Sequence, residues 1–224
     1  MENIYYIFSI LILTMLFLFL SEKNYKKNKK SKYKVKLIGL GGGGSNIVEY
    51  LSITYPLEYD ALIINSDKKA LETKNVDKKI LLQKDNTYGC GSNIVCGYTL
   101  ITSDVISQIK YFIEKNRKIY IFVTLGGGCG TGSLKAIAQE FKDSNYKLNF
   151  ILTTPFKWEG IKKSERANEV IEQVKNDFQN VHIYSNDELL NFGNLGIGEC
   201  FKIQNEKFNE LIKEGFQNEK KFIS

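Results

Sequence analysis

Two clusters of glycine carry the strongest chemical signal in the sequence. The first is Gly39-Leu40-Gly41-Gly42-Gly43-Gly44-Ser45-Asn46, and the second is Gly126-Gly127-Gly128-Cys129-Gly130-Thr131-Gly132. Glycine lets backbone N–H groups approach an anion closely, in conformations that other residues resist. Five glycines among seven residues exceed what a tight turn needs, since each one costs ordering entropy. The second cluster therefore predicts a phosphate cradle of bare amides, to which Thr131 adds a hydroxyl.

The first cluster taken alone is compatible with a different class of protein. It satisfies GxGxxG through Gly39, Gly41 and Gly44, which suits an NAD(P)-binding Rossmann oxidoreductase with Asp67 as its ribose acid. That alternative leaves the second cluster unexplained. A P-loop is excluded because the sequence contains no GxxxxGK[ST] motif. Two anion-binding turns on neighbouring strands favour a polyphosphate that is bound from both sides.

The elements that position these turns alternate between strand and helix. Short apolar runs predict strands over residues 35–40, 59–64, 79–82, 118–125, 148–153 and 181–184. Helical spacing predicts helices over residues 45–52, 100–115, 131–141, 162–178 and 197–222. Such alternation indicates an α/β fold, with a mostly parallel open sheet and helices on both faces. Ligands bind such sheets outside the carboxyl ends of the strands, where both glycine clusters fall.

The glycine clusters resemble motifs of the tubulin/FtsZ family. GGGCGTG resembles the family signature GGGTGTG and differs at Cys129, while KVKLIGLGGGGSN resembles the first nucleotide loop, with Gly41 to Gly44, Ser45 and Asn46 in register. The resemblance continues in order to about Lys213. It implies a domain that binds GTP or GDP, with Mg²⁺ held through the nucleotide phosphates.

The resemblance also implies roles for residues outside the glycine clusters. GCGSNIVCG has the length of the loop that senses the γ-phosphate, which includes Gly89 and Gly91, and ALIINSDKKAL places Asn65 and Asp67 near the nucleotide. Glu159 matches the ribose contact, and the family's phosphate-side arginine corresponds to Lys163 or is displaced to Arg166. Asn186, Phe201, Asn205 and Glu206 match guanine contacts, and an ordinary amphipathic helix is the alternative interpretation of the last three.

The family's hydrolytic acids are missing from the matched segment. They follow the central helix, on a loop that enters the pocket of a neighbouring subunit, whereas this sequence stops at Ser224. We therefore predict no catalytic residue and little hydrolysis by the chain alone. The expected partner is an FtsZ-like filament subunit that the chain tethers, caps or regulates, or a separate second-domain protein that completes a GTPase.

The first residues predict a membrane anchor. Residues 4–20 are uncharged and apolar, which suits a transmembrane helix over residues 1–20 better than a cleaved signal peptide. A Lys-rich linker follows over residues 21–33, and the lysines from Lys23 to Lys36 favour anionic lipids. We expect a single-pass inner-membrane protein, with its N-terminus outside and a nucleotide-binding domain over residues 34–224 in the cytoplasm. That domain carries no basic patch, so we expect no nucleic-acid partner.

The cysteines predict neither a metal site nor a disulfide. Cys90, Cys96, Cys129 and Cys200 form no CxxC pair, and His182 is the single histidine. Structural zinc and a Cys–His nucleophile both lack the required ligands. We expect four free thiols, because a cytoplasmic location keeps cysteines reduced.

Overall fold

The structure is a computed structural model that describes residues 14–15, 35–83, 89–113 and 118–222. Six strands form one parallel sheet in the order β3-β2-β1-β4-β5-β6. The strands are β1 (Val35–Leu40), β2 (Tyr59–Asn65), β3 (Lys78–Leu81), β4 (Lys118–Thr124), β5 (Leu148–Thr154) and β6 (Val181–Ser185). The predicted parallel α/β fold is confirmed.

Seven α-helices connect and cover these strands in the described part of the chain. They are α1 (Gly41–Thr54), α2 (Lys68–Glu72), α3 (Ile94–Thr99), α4 (Ser103–Phe112), α5 (Gly128–Phe141), α6 (Ile161–Asp177) and α7 (Ile197–Phe222). Two short 3-10 helices, Lys157–Glu159 and Asn186–Phe192, precede α6 and α7. Helices α1 and α5 begin several residues earlier than predicted, since the glycines themselves form their first turns.

The sheet is buried on both faces, as its continuous apolar strands predict. On one face, alternate residues of β1, β2, β4 and β5 pack with α4, α5 and α6 in one apolar cluster that includes Ile38, Ile121 and Leu134. On the other face, the intervening residues pack with α1 and α7 in a second cluster that includes Leu37, Phe122 and Phe208. The two layers therefore fix α1 and α5 on opposite faces of the sheet.

The strand order places a topological switch point between β1 and β4. These strands are hydrogen-bonded neighbours, but α1 follows β1 on one face and α5 follows β4 on the other. Divergent connections leave a crevice at the carboxyl ends of the two strands, which is where open α/β sheets bind ligands. Both glycine clusters lie at this edge.

The predicted membrane localisation is not supported. The expected transmembrane helix and the Lys-rich linker lie outside the described residues, apart from Thr14 and Met15. No helix in the described ranges has both the length and the apolar character that crossing a bilayer requires. The predicted single-pass inner-membrane localisation is contradicted by this finding, whereas the transmembrane helix assigned to the fold class lies outside the described residues and has no support from them.

Lys36, which the sequence assigned to the lipid-binding run, is part of the buried interior. Its ammonium group lies 2.6 Å from a carboxylate oxygen of Asp60 and 4.7 Å from the centroid of the Phe112 ring. Lys78 donates a hydrogen bond to the other Asp60 oxygen. Burial opposes ionisation of Asp60, but the hydrogen bonds from Lys36 and Lys78 lower the pKa of this carboxyl overall. Lys36 therefore neutralises a buried carboxylate and does not face lipid.

Removing Asp60 should destabilise the fold strongly, because Lys36 would remain buried without a counter-charge. We expect Asp60→Ala to lower the free energy of unfolding by about 3 kcal/mol at pH 7, as measured by urea denaturation. Because the pKa of Asp60 is lowered in the folded state, its contribution to the free energy of unfolding is fully present above its unfolded-state pKa. This contribution is lost as the pH falls through its folded-state pKa.

The matched control is the double variant Lys36→Met/Asp60→Leu, which removes both buried charges. Its free energy of unfolding should fall much less than that of Asp60→Ala. It should also lack the drop in stability that the wild type shows below about pH 4, when Asp60 becomes protonated. Equal destabilisation of the two variants would show that packing, and not the unpaired charge, is the cause.

Candidate nucleotide site

The two glycine turns are in direct backbone contact. A Cβ atom at Gly41 would lie 2.8 Å from the nitrogen of Gly130, and one at Gly130 would lie 2.9 Å from the carbonyl oxygen of Leu40. Gly41 also has a φ of 70°, a conformation that side chains disfavour. Glycine is therefore required at both positions so that the two turns can form one continuous surface.

The N-termini of α1 and α5 are left free to bind an anion. Leu40 and Gly127 occupy the N-cap positions, and neither provides a side-chain hydrogen bond to the first helical turn. Unpaired N–H groups and the helix dipole make such ends suitable for phosphate. Cβ atoms at Gly42 and Gly127 would meet nothing within 4 Å, so open space lies in front of both turns.

The predicted γ-phosphate loop rests on the second glycine turn. The amide of Gly128 donates a hydrogen bond to the carbonyl oxygen of Gly91 (2.9 Å), and a Cβ atom at Gly128 would lie 2.6 Å from backbone atoms of Asn93. Gly89 and Gly91 both have positive φ angles. Gly128, which was predicted to bind phosphate, instead uses its N–H to hold this loop.

Two polar side chains hold the second turn in shape. The Thr131 hydroxyl is fully buried and accepts a hydrogen bond from the amide of Gly126 (2.9 Å). The guanidinium of Arg166 donates to the carbonyl oxygen of the same glycine (3.0 Å). The structure therefore gives Thr131 an internal role in the turn, in addition to the phosphate contact that the sequence predicts.

On the expected ribose side, Glu159 and Lys163 form an ion pair. Their carboxylate oxygen and ammonium nitrogen lie 2.7 Å apart, and the other Glu159 oxygen accepts from the amide of Phe156 at 3.0 Å. Burial opposes ionisation, but these hydrogen bonds lower the pKa of Glu159 overall. Glu159 is therefore an ionised acceptor, and Lys163 lies beside Gly126.

Three of the predicted site residues have buried polar atoms without a partner. In the described part of the chain, four buried side-chain atoms lack a hydrogen bond, namely Ser45 Oγ, Asn186 Oδ1, Asn205 Oδ1 and Arg166 Nε. Native proteins pair almost all such atoms, since an unpaired one costs about 1–3 kcal/mol. Their concentration in the predicted site fits a nucleotide that supplies the missing partners.

A small apolar cluster positions the elements on the expected base side. Phe156, Leu189 and Cys200 are buried together, with Phe192 packed against them. They belong to the segment before Glu159, the 3-10 helix that begins at Asn186, and the start of α7. This cluster links the expected ribose and guanine contacts mechanically.

The structure separates Glu206 from the role that the sequence assigned to it. Its carboxylate accepts hydrogen bonds from the hydroxyls of Tyr50 (2.7 Å) and Tyr55, at the end of α1 that lies away from the glycines. Sequence reasoning did not identify these tyrosines, which are about 150 residues away from Glu206. Phe201 is partly exposed, at 38%, and Asn205 is buried. Among Phe201, Asn205 and Glu206, it is therefore Glu206 that contributes to the contact between α1 and α7.

The prediction of four free thiols is wrong. Cys90 and Cys96 form a disulfide with Cα atoms 5.5 Å apart, whereas Cys129 and Cys200 are free. One signal in the sequence could have indicated this bond, because the two cysteines flank a single glycine-rich loop. Their pairing depends on the folding of that loop, which spacing alone does not define.

A parallel sheet of this order, with glycine turns at its switch point, defines a nucleotide-binding α/β domain. Residues 34–194 match the family described as Tubulin/FtsZ family, GTPase domain. The chain belongs to the tubulin/FtsZ family. This assignment also removes the basis for the Rossmann oxidoreductase alternative.

Similar proteins include cell division proteins of several prokaryotes. The chain is 30% identical over 177 residues to cell division protein FtsZ 2 of Methanocaldococcus jannaschii, covering 77% of this chain and 46% of that protein. It is 32% identical over 176 residues to cell division protein FtsZ of Aquifex aeolicus, covering 77% and 48%. The chain thus spans about half the length of these relatives.

Solved structures agree with this assignment. An empty FtsZ dimer of M. jannaschii has a TM-score of 0.68 at 28% identity, covering 83% of this chain and 55% of that one. CetZ2 of Haloferax volcanii, in a GTPγS-bound protofilament, has a TM-score of 0.67 at 22% identity, covering 80% and 57%. The chain is therefore an FtsZ/tubulin-like GTPase-domain protein related to cytoskeletal filament proteins.

The tyrosine contacts of Glu206 can be tested by titration. The hydrogen bond to Glu206 is the main cause that raises the pKa of Tyr55 to about 12, and it also raises that of Tyr50. We expect Glu206→Gln to return Tyr55 toward its ordinary value of 10.0, as measured by NMR of ¹³Cζ-labelled tyrosine. We expect nucleotide affinity to change little, because the Glu206 carboxylate is already hydrogen-bonded to the two tyrosines.

The matched control is Glu210→Gln, which removes an exposed charge from the same helix. It should leave the pKa of Tyr55 unchanged. A large loss of guanine nucleotide affinity in Glu206→Gln, without a tyrosine shift, would restore the original assignment of Glu206 to the base.

Proposed function

We propose that this chain binds GTP or GDP in the crevice between β1 and β4. The observation that carries the proposal is the contact between the two glycine turns, which brings the free N-termini of α1 and α5 to one surface. Amides from Gly41 to Gly43, which have no intrahelical partner, bind one side of the phosphate chain, and those of Gly127, Cys129 and Gly130 bind the other. The membership of the tubulin/FtsZ family supports a guanine nucleotide in particular.

The remaining site residues bind the nucleoside. The buried amide oxygens of Asn186 and Asn205 accept hydrogen bonds from N–H groups of the base, which would remove their unpaired state. Glu159 accepts from a ribose hydroxyl. Phe201 contributes its partly exposed ring to the base. The apolar cluster of Phe156, Leu189 and Cys200 keeps these contacts aligned.

Magnesium would be held mainly by the nucleotide. Among the described residues, no group of three or more His, Cys, Asp or Glu side chains is placed to hold a metal ion. Mg²⁺ often takes few protein ligands and retains waters and phosphate oxygens, so this arrangement suits it. When bound, the ion neutralises phosphate charge and leaves the amides to orient the chain of phosphates.

We also propose that the nucleotide face docks onto an FtsZ-like filament subunit and caps or regulates the filament. Large apolar side chains are exposed beside the ribose and base elements, namely Trp158 (63%), Ile161 (77%), Leu190 (51%), Ile197 (52%) and Phe201 (38%). Trp158 stacks on Phe156, with ring centroids 4.1 Å apart, so its position is fixed. A partner subunit, or a separate second-domain protein, would then supply the acids that activate water for hydrolysis.

Nucleotide binding can be tested with the full chain by thermal unfolding and fluorescence titration. GTP or GDP at about 100 times its Kd should stabilise the fold by about 2.7 kcal/mol, while ATP and NADH should give much smaller shifts. Gly42→Ala places a methyl group in the open space before the first turn, and we expect it to weaken GTP binding at least tenfold.

The matched control is Gly198→Ala, another helical glycine whose Cβ atom would meet nothing within 4 Å. Both variants should keep ligand-free stability within about 1 kcal/mol of the wild type, because alanine favours a helix. Equal GTP affinity in the two variants would contradict the placement of the phosphates, and tighter NADH than GTP binding would contradict the proposed ligand.

Filament docking can be tested by co-sedimentation with polymerised FtsZ. We expect the wild-type chain to pellet with the filaments in the presence of GTP or GDP, because binding to a filament would bury the exposed apolar residues. Trp158→Ser should reduce the bound fraction severalfold, since large aromatic side chains dominate such contacts. Tyr111→Ser is the matched control, because Tyr111 is 85% exposed at the opposite end of the sheet.

Two outcomes of this assay would oppose docking. If the wild-type chain stays in the supernatant with either nucleotide, the filament is not its partner. If Trp158→Ser and Tyr111→Ser reduce pelleting equally, the exposed apolar residues beside the nucleotide do not form the contact.

A further inference from the structure

The disulfide lies in the loop that packs on the second glycine turn. Cys90 and Cys96 are six residues apart and enclose Gly91 and Asn93. The amide of Cys90 is anchored to the buried hydroxyl of Ser66 at 3.1 Å. At the other end, the Asn93 side chain caps α3 by accepting from the amide of Cys96 at 3.2 Å. The bond therefore closes a short loop whose two ends are held by the fold.

This closed loop is coupled to the glycine turn through backbone atoms. Gly91 accepts the hydrogen bond of the Gly128 amide, and a Cβ atom at Gly97 would lie 2.7 Å from the carbonyl oxygen of Cys129. At these two contacts backbone atoms meet directly, with no side chain between them. A change in the loop must therefore move the start of α5, which is one side of the proposed phosphate site.

We propose that thiol–disulfide exchange at Cys90–Cys96 controls the order of this loop and, through it, the affinity of the phosphate site. The inference about affinity rests on the proposed nucleotide function. In the oxidised state, the closed loop holds Gly91 and Asn93 against the second turn. In the reduced state, the loop gains conformations that nucleotide binding must remove again, so binding is weaker.

The exchange requires a dithiol reductant, and Cys96 is the sulfur that it attacks. Cys96 is half-buried and adjoins the exposed Val95, whereas Cys90 is buried at 8% exposure. A thiolate of the reductant attacks Cys96 Sγ, the bond to Cys90 Sγ breaks, and Cys90 takes up a proton. The second thiolate of the reductant then displaces Cys96 as a thiol. Two electrons pass to the protein, and the reductant leaves as a disulfide.

The first measurements use the full chain without nucleotide. Thiol titration of the denatured protein should give two free thiols after oxidation with oxidised glutathione and four after reduction with dithiothreitol. Hydrogen exchange of peptides that contain residues 90–97 and Gly128 should increase at least fivefold on reduction. Cys96→Ser should exchange at the reduced rate in both conditions, whereas Val95→Ala, which changes an exposed side chain and leaves both cysteines in place, should keep the redox response.

Fluorescence titration with a GTP analogue then tests the link to the nucleotide. We expect reduction to weaken binding of the wild type about tenfold, which corresponds to ~1.4 kcal/mol. Val95→Ala should show the same ratio between the affinities of its oxidised and reduced forms, whereas the affinity of Cys96→Ser should not depend on reduction.

The outcomes separate this inference from the proposed function. Four thiols in the oxidised protein, or unchanged exchange at Gly128 on reduction, would overturn the inference even if GTP binds. A redox-dependent exchange at Gly128 without GTP binding in either state would overturn the proposed function and the affinity claim, and would support control of the loop. Equal GTP affinity in both states would overturn the affinity claim alone.

Discussion

The close approach of two glycine turns is the constraint on which the rest of the site depends. Gly41 and Gly130 can lie against each other because neither carries a Cβ atom, and this contact brings two helix N-termini from opposite faces of the sheet to one crevice. The sheet order makes the approach possible, since β1 and β4 are neighbours whose connections diverge. The proposed nucleotide would complete a surface of helix N-terminal amides that have no intrahelical partner.

The fold could be predicted from the sequence because its signals are local. Continuous apolar runs mark the strands, and glycines mark the turns after β1 and β4. The starts of α1 and α5 were placed too late, because glycine has little intrinsic preference for a helix and its inclusion there depends on tertiary packing. The strand order was not predicted, since neighbouring strands are chosen by long-range contacts that periodicity does not encode.

The site could be predicted less completely than the fold. The structure brings the two glycine turns together and leaves the Oδ1 atoms of Asn186 and Asn205 buried without a partner, while their contacts with a nucleotide stay predictions. Glu206 differs because its partners, Tyr50 and Tyr55, lie in a distant segment that helical spacing cannot identify. Lys36 was assigned to the basic run by composition, whereas its burial against Asp60 depends on the register of β1.

The hydrogen bonds of Tyr50 and Tyr55 to Glu206 allow α1 to connect the first glycine turn to α7. The N-terminal end of α1 carries the glycines of the first turn, and its C-terminal end is hydrogen-bonded to α7 through those two tyrosines. Because a helix transmits displacement along its axis with little bending, a displacement of the phosphate-side end of α1 would also displace the end that contacts α7. The hydroxyl of Tyr59, the first residue of β2, donates a hydrogen bond to Asn209, so α7 is also joined to the sheet near this end of α1.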